Sequence, residues 1–198
     1  MEVEVLEQAD QAAFLWLNGW VGRFPSLDNV VRLLASDYLV PLLLALTLLG
    51  LWFTGPTLLA RTRNQHGVMA AVVALALASL VVEVISDVMF RPRPFATLDV
   101  SLLFYRPTDS SFPAHIAAIG FAVAIAVLLW NRRAGAALVA LAALYSLSRV
   151  YAGVLYPLDI VGGAAIGVAG GLAATLLLRR FRPIPAFVLR VARALYLA

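Results

Sequence analysis

The chain has 198 residues, 63% of them hydrophobic, and a mean hydropathy of +0.92, against roughly 45–50% apolar residues in soluble domains. Cysteine is absent, which excludes disulfides, thiolate nucleophiles and cysteine-ligated zinc. All fifteen basic residues are arginine, so no lysine can form a Schiff base or a P-loop; the net charge of +4 lies on arginines flanking apolar runs, where membrane topology rather than nucleic acid accounts for it.

The start, Met1-Glu2-Val3-Glu4, is acidic where a signal peptide is basic, so none is expected. Residues 1–25 read as an amphipathic helix at the membrane interface that carries Phe14, Trp16, Leu17 and Trp20; Glu7, Gln8, Asp10 and Asn18 argue against a sixth span. Leu27 to Thr54 predicts one long helix, apolar from Tyr38 to Phe53. Arg61, Arg63 and His66 predict a polar loop, and Val68 to Phe90 the second span. A polar loop with prolines at 92, 94 and 107 fills Arg91 to Phe112. Pro113 to Trp130 is the third span, Asn131-Arg132-Arg133 a basic turn, and Ala134 to Leu147 the fourth span. Tyr156-Pro157 breaks the chain before the fifth span, Leu158 to Leu178. After Arg179, Arg180 and Arg182 comes a tail, 183–198, with Arg190 and Arg193 on an apolar background, expected on the membrane surface. The expectation is an all-α polytopic membrane helix bundle in a single domain, with about five spanning helices and an N-terminal interfacial helix.

Arginine bias sets the orientation. Arg61/Arg63, Arg132/Arg133 and Arg179/Arg180/Arg182 fall on one side, the cytoplasmic side of an inner membrane. The opposite, extracytoplasmic side collects three segments: Phe90-Arg91-Pro92-Arg93-Pro94-Phe95, Ser110-Ser111-Phe112-Pro113-Ala114-His115, and Ser148-Arg149-Val150-Tyr151-Ala152-Gly153-Val154-Leu155-Tyr156-Pro157-Leu158-Asp159. Together they suggest an anion site. Arginine makes forked, charge-assisted bonds to phosphate oxygens, and His115 lies in a first helical turn, where free N–H groups and the dipole favour an anion. Arg93, Arg149 and the His115 helix start are expected to surround one phosphoryl group, with Arg91 and Ser148 beside them. At a bilayer surface the rest of such a ligand would be a lipid tail.

These segments resemble the three signatures of the type 2 phosphatidic acid phosphatase and vanadium haloperoxidase superfamily: K-x6-R-P, P-S-G-H and S-R-x5-H-x3-D. The resemblance implies metal-free, cofactor-free hydrolysis of lipid phosphates or pyrophosphates through a phosphohistidine. Bacterial members of this size resemble undecaprenyl pyrophosphate phosphatases. Arg93, Arg149 and Asp159 match the pattern, and His115 matches with a shift of one residue. The family's lysine falls at Ser86, the second signature is shortened to Pro113-Ala114-His115, and the nucleophilic histidine falls at Leu155. Asp159, which would orient that histidine, has no imidazole to orient, and nucleophilic catalysis through position 155 is closed.

Two functional readings follow. One is a degenerate member that binds a lipid phosphate head group, or an accessory subunit with a membrane-protein partner or a second copy of itself. The other is an active lipid phosphatase rearranged around His115. Beyond the signatures, Glu83, Asp87 and Arg91 recur every four residues, which predicts an ion-pair ladder holding Arg91. Gly163, Gly167 and Gly171 predict a close-packed helix face.

Overall fold

The computed structural model describes residues 2–181 and 183–195. Residue 182, with its arginine, and the end of the tail, 196–198, lie outside the described residues. The architecture is all-helical. In chain order the helices are α1 (Glu2–Asn18), α2 (Pro25–Leu34), α3 (Leu39–Phe53), α4 (Leu58–Val88), the short α5 (Pro94–Thr97), α6 (His115–Leu128), α7 (Arg132–Tyr151), α8 (Pro157–Arg180) and α9 (Pro183–Ala194).

Among the described residues, α4, α7 and α8 are each long and apolar enough to cross a membrane, and α2 with α3 qualifies as a pair bent by 52°. The single helix expected over Leu27–Thr54 is therefore broken. The break falls at Ala35–Tyr38, where the Ser36 hydroxyl accepts a bond from the Leu39 N–H at 3.2 Å, and it swings Asp37 toward Arg149. The polar loop expected at Arg61–His66 is also corrected. Those residues form the first turns of α4, which Thr57 caps by accepting from the Ala60 N–H at 3.1 Å. α4 then ends at Val88, short of Arg91.

α6 is the centre of the bundle, packed on α4, α7 and α8. At 14 residues it is only about 21 Å long, less than the ~30 Å hydrocarbon core. Its alanine-rich surface is mostly buried against the surrounding helices rather than turned to lipid, so its length need not match the bilayer. α8 meets it through the predicted glycine face. A Cβ at Gly163 would lie 2.3 Å from the Ala114 carbonyl, one at Gly167 2.4 Å from the Ala118 carbonyl, and one at Gly171 3.0 Å from the Ala122 carbonyl. At Gly163 and Gly167 only hydrogen fits, and at Gly171 a methyl would be tight, so the helix backbones approach closely.

Two polar residues of α1, Asp10 and Asn18, are turned into the protein, while Glu7 and Gln8 stay exposed. Asp10, Phe14 and Asn18 are buried. Asn18 donates to the carbonyls of Ser101 and Tyr151, both at 2.9 Å, and accepts from the Ser101 N–H at 3.0 Å. Trp16 and Trp20 remain on the outside. At the other end of the bundle α9 folds back on the start of α4, with Arg193 donating to Thr62 at 3.0 Å.

The glycine face gives a direct test. Gly167→Ala forces a methyl into a backbone carbonyl, and overpacking of this kind costs about 1–3 kcal/mol. Gly50 of α3 has open space at its Cβ position. The thermal midpoint of the detergent-solubilised protein is expected to fall for Gly167→Ala and not for Gly50→Ala; equal midpoints would contradict the close-packed interface.

Candidate functional site

The three signature segments meet in space, and one carboxylate joins them. Asp159 lies in the first turn of α8 with its side chain fully buried. It accepts from the Tyr156 N–H at 2.9 Å, a back-bond that caps its own helix. It also accepts from the Ser111 hydroxyl of the second segment and from Arg91 of the first at 2.5 Å. Its backbone carbonyl accepts the Ala114 N–H at 3.0 Å. The aspartate expected to orient a histidine thus binds an arginine, a serine and its own helix start.

Arg91 bridges Asp159 to α1, donating to Asp10 at 2.8 Å, and its guanidinium lies over the Tyr156 ring at 4.3 Å. Asp10 in turn accepts the Leu158 N–H at 2.9 Å. Burial lowers the guanidinium's pKa, but the two carboxylates outweigh it and hold it above the ordinary arginine value. The ladder expected from Glu83 and Asp87 to Arg91 is overturned: Arg91 lies beyond the end of α4 and turns to Asp10 and Asp159 instead.

The other two arginines also have carboxylate partners. Arg93 donates to the Asp109 carboxylate at 2.9 Å, and to the carbonyls of Asp109 at 3.1 Å and Val154 at 2.9 Å. Arg149 donates to Asp37 and to the Tyr145 hydroxyl, the latter at 3.1 Å, and lies against Phe104. Its Nε–H is buried and finds no acceptor among the described residues. The three pairs differ in exposure. Asp10 and Asp159 are 0% exposed, whereas Asp37 is 40% and Asp109 69% exposed. Arg91 is clamped between buried acids, while Arg93 and Arg149 are latched by acids that can rotate into solvent.

Ser148 turns away from the site, its hydroxyl donating to the Tyr145 carbonyl at 2.6 Å. Leu155 is 3% exposed and packs with Phe14, Ala114 and Tyr156. Gly153 just before it has φ +89, and a Cβ there would lie 3.1 Å from the Ser101 carbonyl, so the turn that delivers Leu155 requires glycine.

His115 starts α6, exposed, and lines two cavities. One is an apolar cleft of about 320 Å³ between α3, α4, α6 and α7. The other, about 310 Å³, is polar and contains Glu83, Ser86, Asp87, Asp109 and Ser110. Neither of these two cavities is lined by Arg91, Arg93 or Arg149. Sequence reasoning missed the partners Asp10, Asp37, Asp109 and Ser111. The one hint was that the arginines of this end are interleaved with acids.

A family model of the PAP2 superfamily matches residues 67–183. The chain is 32% identical over 152 residues to the undecaprenyl-diphosphatase BcrC of Bacillus subtilis (strain 168), covering 76% of each protein. It is 32% identical over 161 residues to the bacitracin transport permease protein BcrC of Bacillus licheniformis, covering 81% of this chain and 76% of that one. The crystal structure of Aquifex aeolicus LpxE superposes with a TM-score of 0.64 at 29% identity, covering 83% of this chain and 93% of LpxE. A transmembrane PAP2-type phosphatidylglycerolphosphate phosphatase from Bacillus subtilis gives 0.63 at 19% identity, covering 89% and 87%, which speaks to the fold alone. With its membrane helices and three converging signatures, the chain belongs to the PAP2 superfamily.

Proposed function

We propose that this chain is a non-hydrolytic PAP2 membrane protein that holds a lipid phosphate or pyrophosphate head group and acts as a binding or accessory subunit. The observation that carries the reading is Leu155, buried in an apolar cluster four residues before Asp159. Asp159 meanwhile serves Arg91, Ser111 and the α8 start. A leucine has no lone pair to attack phosphorus, and Ser86 brings no charge to a phosphate oxygen. Arg93 and Arg149 remain as ligands: an incoming phosphate would displace the exposed Asp109 and Asp37, and the unpartnered Nε–H of Arg149 supplies a further donor. The second reading, a working phosphatase, draws on His115, an exposed imidazole beside Ser86 and Ser110 in the polar cavity.

Turnover separates the two readings. The purified chain is expected to release no phosphate above background from undecaprenyl pyrophosphate or phosphatidic acid. Leu155→His alone should restore little, since oriented groups lose about a hundredfold in rate for a misplacement of ~1 Å. Ser86→Lys with Leu155→His should recover more than either change alone. Phosphate release by the unmodified chain, lost in His115→Ala, would establish the rearranged enzyme instead.

The membrane orientation belongs to the same proposal. Arg63, Arg132 and Arg179 share one end of the bundle, where Asn131 donates to Asn64 at 2.9 Å and Arg179 lies over Trp130. Arginine bias makes that end cytoplasmic and the signature end extracytoplasmic. In the cysteine-free chain, cysteines at the exposed positions Arg63 and Arg132 should label from the cytoplasm, and one at Thr108 from outside. Labelling of Arg63 and Thr108 from the same side would refute this topology.

A further inference from the structure

Glu83 and Asp87 are left over once Arg91 is accounted for. Both lie exposed on α4, one turn apart, in a helix long and apolar enough to span a membrane, and neither has an ion-pair partner among the described residues. Carboxylates at this spacing repel one another, and ionisable groups within a membrane span are costly enough to mark ligand pathways. Ser86, between them, stands where the family's first signature has lysine, so the chain has no cation of its own there. The polar cavity they line also holds Asp109. A bare phosphate entering it would face three carboxylates. Arg93 sits immediately behind Asp109, at 2.9 Å. On the far side of His115 the apolar cleft opens, walled by Leu44, Leu48, Leu75, Ile119 and Val123.

A cavity lined by Glu83, Asp87 and Asp109, with Arg93 behind Asp109 and an apolar cleft on the other side of His115, complements one kind of amphiphile. We propose that the two cavities meeting at His115 hold a single phospholipid whose head group carries an ammonium beside its phosphate. The ammonium lies at Glu83 and Asp87, the phosphate takes Asp109's place on Arg93, and the tail occupies the apolar cleft. Charge complementarity selects this occupant over an anionic lipid, which leaves Glu83 and Asp87 uncompensated. The N–H donors of a primary ammonium select it over a quaternary one, since charge-assisted bonds to carboxylates need a hydrogen. This inference rests on the reading of Arg93 as a phosphate ligand and adds the class of head group.

The test is native mass spectrometry of the full chain in detergent, titrated with phosphatidylethanolamine, phosphatidylcholine and phosphatidylglycerol of identical tails. Phosphatidylethanolamine should bind about tenfold more tightly than either of the others, as one charge-assisted bond predicts. Glu83→Gln with Asp87→Asn should erase that preference without weakening phosphatidylglycerol. Glu83→Gln alone, a near-isosteric change at an exposed position, should reduce it and guards against misfolding of the double variant. Arg93→Ala should weaken phosphatidylethanolamine and phosphatidylglycerol alike. Equal affinity for the three lipids, or a preference that survives loss of both carboxylates, overturns the ammonium site. If Arg93→Ala still weakens binding in that case, the phosphate reading stands; if it changes nothing, that reading falls as well.

Discussion

The buried carboxylate of Asp159 is the constraint on which the signature end of this protein depends. An ionised carboxylate removed from water costs several kcal/mol unless its oxygens are bonded, and here the donors come from three separate segments: Arg91, Ser111 and the Tyr156 N–H. The chain cannot bury Asp159 without bringing those segments together. Arg91 extends the constraint to α1 through Asp10, which in turn accepts from the Leu158 N–H. One arginine between two fully buried acids thus holds the N-terminal helix, the loop after α4 and the start of α8 in register. It also explains why the cluster of Phe14, Ala114, Leu155 and Tyr156 can close as a dry layer beneath the ion pairs.

The same economy of charge shapes what the site can do. In an anion-binding site, arginines need room for a ligand's oxygens. Here each has an internal carboxylate in that role, and the polar cavity at His115 is lined by Glu83, Asp87 and Asp109. The exposure of the partners sorts the arginines by function: Arg91 belongs to the architecture, while Arg93 and Arg149 are held by acids that solvent can reach. On the proposed reading, position 155 provides no nucleophile for hydrolysis, and binding of a head group requires that the Asp37 and Asp109 latches open.

Much of this was legible in the sequence. The apolar runs announced the bundle, arginine bias grouped the basic ends, the glycines spaced by four marked the α6–α8 contact, and the three segments carried the family resemblance. The ion-pair partners were not legible, because they are distant in sequence: 81 residues separate Asp10 from Arg91 and 112 separate Asp37 from Arg149. Helical periodicity placed Arg91 on one face with Glu83 and Asp87, but periodicity holds only while the helix continues, and α4 stops at Val88 before Pro92. The break at Ala35–Tyr38 escaped notice although its signals were local and present. Ser36-Asp37 interrupts the apolar run, the Ser36 hydroxyl caps the Leu39 N–H, and Pro41 cannot bond back to the Asp37 carbonyl; the bond from Arg149 to Asp37 adds a tertiary restraint at the break.

The central claim, that internal carboxylates occupy the arginines a phosphate would use, is tested most directly by calorimetric titration of vanadate into the unmodified chain and into the Asp37→Asn, Asp109→Asn double variant. Neutralising the latches frees two guanidiniums while preserving side-chain shape, and each recovered charge-assisted bond is worth about 1.5–3 kcal/mol. The double variant should therefore bind vanadate at least about tenfold more tightly than the unmodified chain. Equal affinity in the two proteins would contradict the account, because it would mean that Asp37 and Asp109 do not compete with an oxyanion for Arg149 and Arg93.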